Sequence, residues 1–378
     1  YEEYLNFHRT YYHPSNSYIY LYGNMDMEEK LNWLDQEYLS AYDKKEVDSE
    51  IHLQKPFEKM HDITKPYSIA SNESTEDNTY LSYNKVIGTS LDEKLYLAFQ
   101  ILDYALLSAP GAPITKALLE AGIGKDISGS YDSSTYQPIF SIVAKNANEE
   151  QKAEFVKVIE DTLKGIVENG MDKKALEAGI NYHEFRYREA DFGGYPKGLM
   201  YGLQIFDSWL YDETKPFIHV EALDTFVFLK EQISTGYFEK LIQAYLLDNQ
   251  HGALVTIVPE PGRTARLDEE LKAKLQAYKE SLSREEIEKL VADTKHLQEY
   301  QEEPSSQEDL EKIPMLTRED ISREIAPIYN EEMKIAEIPT VFHEIETNGI
   351  GYLDLMFDLS DVPEKDLPMV GLLQAVLG

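Results

Sequence analysis

At 378 residues, with 42% hydrophobic and 28% charged side chains, the chain has room for two or three domains and a globular rather than disordered composition. Thirty-six basic against 69 acidic residues leave a net charge of −33, which repels phosphate backbones and anionic bilayers and argues against nucleic acid or a membrane as partner. Cysteine is absent, which excludes disulfides, thiolate metal ligands and cysteine nucleophiles and fits an intracellular home, a bacterial cytoplasm or an organelle lumen.

In chain order, residues 2–11 read as a helix and His13-Pro14-Ser15-Asn16 as a turn. The aromatic and β-branched residues 18–22 read as a strand, and Asp26 caps a helix carrying Leu31, Leu34, Tyr38 and Leu39. Residues 44–60 are charged and irregular, as in a linker. Strands are expected over 63–70 and 80–87, separated by a polar turn. A strong helix over 91–108 follows, with Leu95, Ala98, Phe99, Leu102, Ala105 and Leu106 on one face. Ala109-Pro110-Gly111-Ala112-Pro113 breaks it before a short helix over 114–121. Strands are expected over 126–131 and 139–145. Helices are expected over a stretch marked by Phe155, Ile159, Leu163 and Ile166 and closed by Asn169-Gly170, and over 173–189, 197–211, 220–231 and 236–247. Residues 253–258 form a buried-type strand that Pro259 and Pro261 are expected to stop, because proline lacks the N–H donor.

Residues 263–312 change character. Leu267, Leu271 and Leu275 space one helix; Ser283 with Glu286 forms a capping box for a second that carries Ile287, Leu290, Val291 and Leu297. Their short connection predicts a helical hairpin with its leucine faces packed on each other or on the preceding domain. From about residue 330 a strand over 340–345, a Thr347-Asn348-Gly349 turn and an alternating strand over 351–359 predict a hairpin before a final apolar helix. The order of elements near residue 60 recurs near residue 330, which suggests tandem αβ domains. The chain opens at Tyr1 without methionine and closes on an apolar helical pattern, so it reads as an internal piece of a longer protein.

The residues offer little catalytic chemistry. None of the nine histidines lies four residues from another, and neither H-E-x-x-H nor H-x-x-E-H occurs. His183-Glu184 is the nearest approach, with Tyr at 187; His296 with Glu299 and His343 with Glu344 are weaker. There is no G-x-S-x-G around Ser130, no third glycine after Gly122 and Gly124, and no phosphate-binding loop. The unusual feature is aromatic: Phe185, Tyr187, Phe192, Tyr195, Tyr201, Phe206, Trp209 and Tyr211 crowd one helical region, either as packing or as a wall for extended peptide.

Phe7-His8-Arg9-Thr10-Tyr11-Tyr12-His13-Pro14-Ser15-Asn16, followed by Tyr18-Ile19-Tyr20-Leu21-Tyr22-Gly23-Asn24, resembles the end of the first domain of insulinase-type zinc peptidases, in the presequence-protease branch. Leu107-Ser108-Ala109-Pro110-Gly111-Ala112-Pro113, the 267–300 hairpin and Asp361-Val362-Pro363 resemble the same branch. The resemblance implies an α+β fold of tandem insulinase-like αβ domains, each an antiparallel-rich sheet with helices on one face, plus a linking helical hairpin. It divides the chain into a tail of a first domain (1–44), a second domain (45–262), a hairpin linker (263–328) and the start of a third domain (329–378). The family's zinc ligands match no position here, so no catalytic, cofactor-binding or metal residue is assigned. Zinc is implied for the full-length protein and none for this chain. The implied function is the non-catalytic middle segment of a peptidase that degrades unfolded oligopeptides in a closed chamber, partnered by the rest of its own chain. A metal-free scaffold subunit and a stand-alone peptide-binding module remain alternatives.

Overall fold

A computed structural model describes residues 1–325 and 327–377, in two compact units, Tyr1–Ile325 and Ala326–Gly378, each taken by itself. The first unit opens with helices α1 (Glu2–Tyr11) and α2 (Met27–Glu37), the latter capped by Asp26 accepting from the Glu29 N–H at 3.0 Å. An irregular stretch leads to strands β1 (His61–Ile69) and β2 (Thr79–Val86), then α3 (Glu93–Asp103), α4 (Pro113–Glu120), β3 (Asp126–Asp132) and β4 (Ile139–Ala147). Five helices follow, α5 (Lys152–Asn169), α6 (Lys173–Glu189), α7 (Lys197–Trp209), α8 (Leu223–Gln232) and α9 (Tyr237–Leu241). Strand β5 (Gly252–Pro261) and helices α10 (Arg263–Ser281), α11 (Arg284–Glu302) and α12 (Gln307–Glu311) complete the unit.

The sheet order is β1-β5-β2-β4-β3, with β1 and β5 parallel and every other pair antiparallel. The last strand is thus inserted between the first two, which do not form a hairpin with each other. One face of the sheet carries Leu81, Tyr83, Phe140, Ile142, Ala144 and Leu254 into a single core with α3, α5, α6 and α8. All buried residues of the described chain lie between Ile69 and Thr256. Helix α3 continues into a wider turn at Tyr104–Ser108, where the Ala109 N–H reaches the Tyr104 carbonyl at 2.8 Å. That turn presses on β3 at Gly129: a methyl group there would lie 2.2 Å from Leu107 Cδ1 and 2.9 Å from Asp103 Oδ1.

Three expectations for this unit need correction. Residues 18–22 are extended but join no sheet; they lie against α7 instead. Strand β5 runs through both prolines, pairing Tyr67 with Pro259 and Ile69 with Pro261. The Gly262 N–H bonds the Ile69 carbonyl, so the donors that point to β1 come from even-numbered residues. The prolines therefore face the β2 side, where pairing has already ended at Ile257, and no ladder donor is lost. Helices α10 and α11 form, and Ser283 and Glu286 complete the capping box, but neither helix buries a residue. Leu271 and Leu275 are 54% and 56% exposed, so the leucine faces are not packed as expected.

In the second unit the hairpin is β6 (Glu331–Ile335) with β7 (Ile338–Phe342), turning at Ala336 and Glu337, both at positive φ, as a tight two-residue turn requires. The Asn348-Gly349 turn also forms, with Ile350 N–H on the Thr347 carbonyl at 3.1 Å, but residues 351–359 join no sheet among the described residues. Helix α13 (Leu367–Leu377) ends the unit.

Two stability measurements test this packing. Gly129→Ala should destabilise the chain by about 1–3 kcal/mol in a denaturant titration, through overpacking against Leu107. Leu271→Asp, by contrast, should change stability by no more than about 0.5 kcal/mol, as exposed substitutions do; a loss of several kcal/mol would reinstate a packed leucine seam.

Candidate functional site

His183 is held by packing and a backbone contact. His183 on α6 is half-buried with its ring bonded to the Gln100 backbone, and burial pulls its pKa down to about 4. Its neighbour Glu184 is bound by Arg188 at 2.9 Å and by Lys230. Burial pushes the Glu184 carboxyl up, but these two cations outweigh it and hold the pKa below the usual carboxylate range. A metal would have to displace a backbone bond on one residue and two ion pairs on the other. His296 is exposed on α11, and exposed His343 places Nδ1 3.2 Å from the Tyr329 carbonyl. Among the described residues no group of three His, Asp or Glu side chains is arranged to hold a metal ion. The residues present therefore do not fit a hydrolytic metal centre, which needs three ligands and an open position.

A polar cluster that spacing could not reveal lies where α3 meets α7. The Tyr96 ring stacks on His219 at 3.8 Å, and its hydroxyl donates to Asp207 Oδ2 at 3.0 Å. Burial raises the Asp207 pKa to about 6 and lowers His219 to about 4. Tyr96 and His219 are only 4% and 3% exposed, so their rings are closed to a substrate and fix α7 to the core.

The aromatic region divides by role. Tyr187 is packing: its ring lies 5.6 Å from Phe226 and its hydroxyl bonds the Val220 carbonyl. Tyr211 stacks on Tyr136 at 4.3 Å, and Phe192 meets Tyr201 edge-on at 5.8 Å. Phe185 and Tyr195 stay exposed at 44% and 68%. Tyr201, Phe206 and Trp209 line the side of α7 against which residues 18–22 lie. Tyr18 meets Trp209 at 4.7 Å and Phe206 at 6.4 Å, and Tyr22 meets Tyr201 at 6.0 Å. Two glycines make room for Tyr20 and Tyr22. A methyl at Gly202 would fall 2.8 Å from the Tyr20 ring and one at Gly198 2.2 Å from the Tyr22 ring.

The second accessible surface is the face of the sheet turned away from the core. Cross-strand register places Ser130, Ser141, Asn84, Ala253 and His61 in one row, and Ser128, Val143, Ser82, Val255 and Ile63 in the next. Asn84 organises the first row. Its Oδ1 accepts from Ser141 at 2.7 Å and Ser82 at 3.0 Å, and its Nδ2 donates to the Ala253 carbonyl at 3.0 Å. No residue of this face joins the core. It is a small-residue, hydroxyl-lined surface that offers hydrogen bonds but neither nucleophile nor metal.

Comparison with known proteins accounts for this combination. Residues 1–182 match the family described as Peptidase M16 inactive domain, and residues 257–378 the family described as associated with subfamily C of Peptidase M16. The chain is 45% identical over 378 residues to Protein HypA of Clostridium perfringens, covering all of this chain and 39% of that protein. It is 32% identical over 380 residues to Presequence protease 1, chloroplastic/mitochondrial, of Arabidopsis thaliana, covering 98% of this chain and 35% of that protein. The chain thus spans less than two fifths of the length of these relatives. Among solved structures, a protease from Helicobacter pylori superposes with a TM-score of 0.50 at 10% identity, covering 68% of this chain and 58% of that one, a likeness of fold. The two family matches lie at opposite ends of the chain and the presequence-protease similarity runs through both, so the chain belongs to the insulinase-type M16 metallopeptidase family, in its presequence-protease branch.

Proposed function

We propose that this chain is the non-catalytic middle of a zinc-dependent, intracellular peptidase that degrades unfolded oligopeptides in a closed chamber. The observation that carries the reading is a presequence-protease match over 98% of the chain, combined with a sequence that holds no H-x-x-E-H. Peptidases of this family are zinc-dependent, and no three possible ligands gather among the described residues of this chain, so zinc and its ligands would come from the remaining length of the protein. In this reading residues 45–262 form the wall. The uncovered sheet face, with its serine and asparagine rows, suits contact with extended peptide, which presents backbone donors and acceptors on both sides. The net charge of −33 draws basic peptides toward it. Residues 1–44 would complete a first domain and residues 329–378 begin a third. Helices α10 and α11, within 263–328, would join the two halves, their exposed leucines seated on parts of the protein outside this chain.

The purified chain should bind no stoichiometric zinc after dialysis and should leave a quenched oligopeptide uncut with or without added zinc. One tightly held zinc per chain, or turnover abolished by His183→Ala, would overturn the assignment of a non-catalytic segment.

A further inference from the structure

Helix α7 lies beside the core rather than in it. Its buried residues are Gly202, Ile205 and Ser208, and no residue of α7 belongs to the apolar cluster that α3, α5, α6 and α8 build. On its inner side α7 is held by polar and ring contacts. Asp207 accepts from Tyr96 on α3, Gln204 Nε2 donates to the His219 carbonyl at 3.2 Å, and just past the helix Tyr211 stacks on Tyr136. This junction is poorly satisfied. Among the described residues Ser90 Oγ, Tyr131 OH and His219 Nε2 are buried without a hydrogen-bond partner, and all three surround Tyr96. The Tyr96 ring stacks on His219 and lies 6.4 Å from Tyr131, and the His219 ring bonds the Ser90 backbone. An unpaired buried polar group carries a desolvation cost that contact with water removes. Burial also holds Asp207 and His219 toward their neutral forms, a second cost that exposure relieves.

The outer side of α7 differs. There it carries the rings of Tyr18, Tyr20 and Tyr22, which belong to the tail of the first domain, and no orphaned polar atom of the described residues lies on either partner. The connections of α7 permit movement. A methyl group at Gly193 or Gly194, between α6 and α7, would meet nothing within 4 Å, and Gly193 has a φ of +60°. Glycine at 193 therefore serves the backbone, not packing. Beyond α7, Ser208 Oγ donates to the Lys215 carbonyl at 2.7 Å, so residues 208–215 fold onto the helix end and leave 216–218 as the second joint.

We propose that α7 moves with the first-domain tail and parts from the second domain at its junction with Tyr96 and His219, hinging at Gly193-Gly194. The mechanical boundary between the two domains then runs through residues 191–218 rather than at residue 44, and a displacement of the first domain opens the polar junction instead of tearing the tyrosines from α7. The proposal takes the division at residue 44 from the reading above. Its test reads motion within this chain, so its failure leaves the peptidase reading standing, and the reverse holds too.

Amide hydrogen exchange on the full 378-residue chain tests the parting without any variant. A helix of 13 residues frays once released from its contacts, so amides of 197–209 should exchange about 100-fold faster than those of α3 and α8. Tyr96→Phe removes the bond to Asp207 and keeps the ring on His219. It should speed exchange in α7 by about three- to tenfold, the worth of one net hydrogen bond, and leave α3 and α8 unchanged. Because the chain has no cysteine, spin labels can be placed by substitution at exposed Ile19 in the tail, Leu203 on α7 and Leu119 on α4. The Ile19→Cys/Leu203→Cys pair should give a single distance, and the Leu203→Cys/Leu119→Cys pair two populations, with Tyr96→Phe enlarging the longer one. Protection of α7 equal to that of α3 and α8, exchange unaltered by Tyr96→Phe, a single distance between 203 and 119, or a split distance between 19 and 203 would each overturn the proposal.

Discussion

The architecture depends on the insertion of β5 between β1 and β2. Strand β5 pairs with β1 in parallel and β2 in antiparallel fashion, so residues almost two hundred positions apart become neighbours in one ladder. Every helix from α3 to α9 is enclosed in the connection that this pairing closes. The core side of β5 contributes Leu254 beside Tyr83, whose hydroxyl donates to the Leu246 carbonyl at 3.1 Å and ties the last helical turn to the central strands. Loop-closure cost grows only slowly with length, so a long connection is tolerated once the sheet buries a full apolar face.

The one-sided sheet decides what the chain can offer a partner. The covered face takes the large apolar residues; the other takes serines, Asn84 and small aliphatics that satisfy one another across strands. Such a surface is stable in water and rich in donors and acceptors. His183, His219, Asp103 and Asp207 are all shifted chiefly by burial, toward their neutral forms.

The exposed apolar side chains are concentrated outside the core-forming stretch. Leu267, Leu271 and Leu275 on α10, Leu353, Leu355 and Phe357 in the second unit, and Leu372 and Leu373 on α13 are all more than two fifths exposed. Such a density of accessible large hydrophobics is high for a finished surface. It matches a chain that spans less than two fifths of the length of the relatives it resembles.

Local chemistry was legible in the residues alone. Asp26, Asp92 and Ser283 accept from the backbone three residues on, Gly170 closes α5, and the apolar face of α3 has the spacing read from its leucines. These features need only neighbours within one or two turns, so the sequence by itself determined them, together with the absence of a metal motif and the family. Tertiary structure alone decided whatever required a distant partner. Residues 18–22 and 351–359 have the alternation of strands, but a strand forms only where another supplies its ladder, and the first lies against α7 while the second joins no sheet among the described residues. Pro259 and Pro261 could remain in β5 only because β2 had ended before them. Tyr96, Asp207 and His219 carry no spacing signal, since their meeting depends on how α7 crosses α3. Side-chain pattern sets what an element prefers; the neighbours available in three dimensions set whether it forms and what it touches.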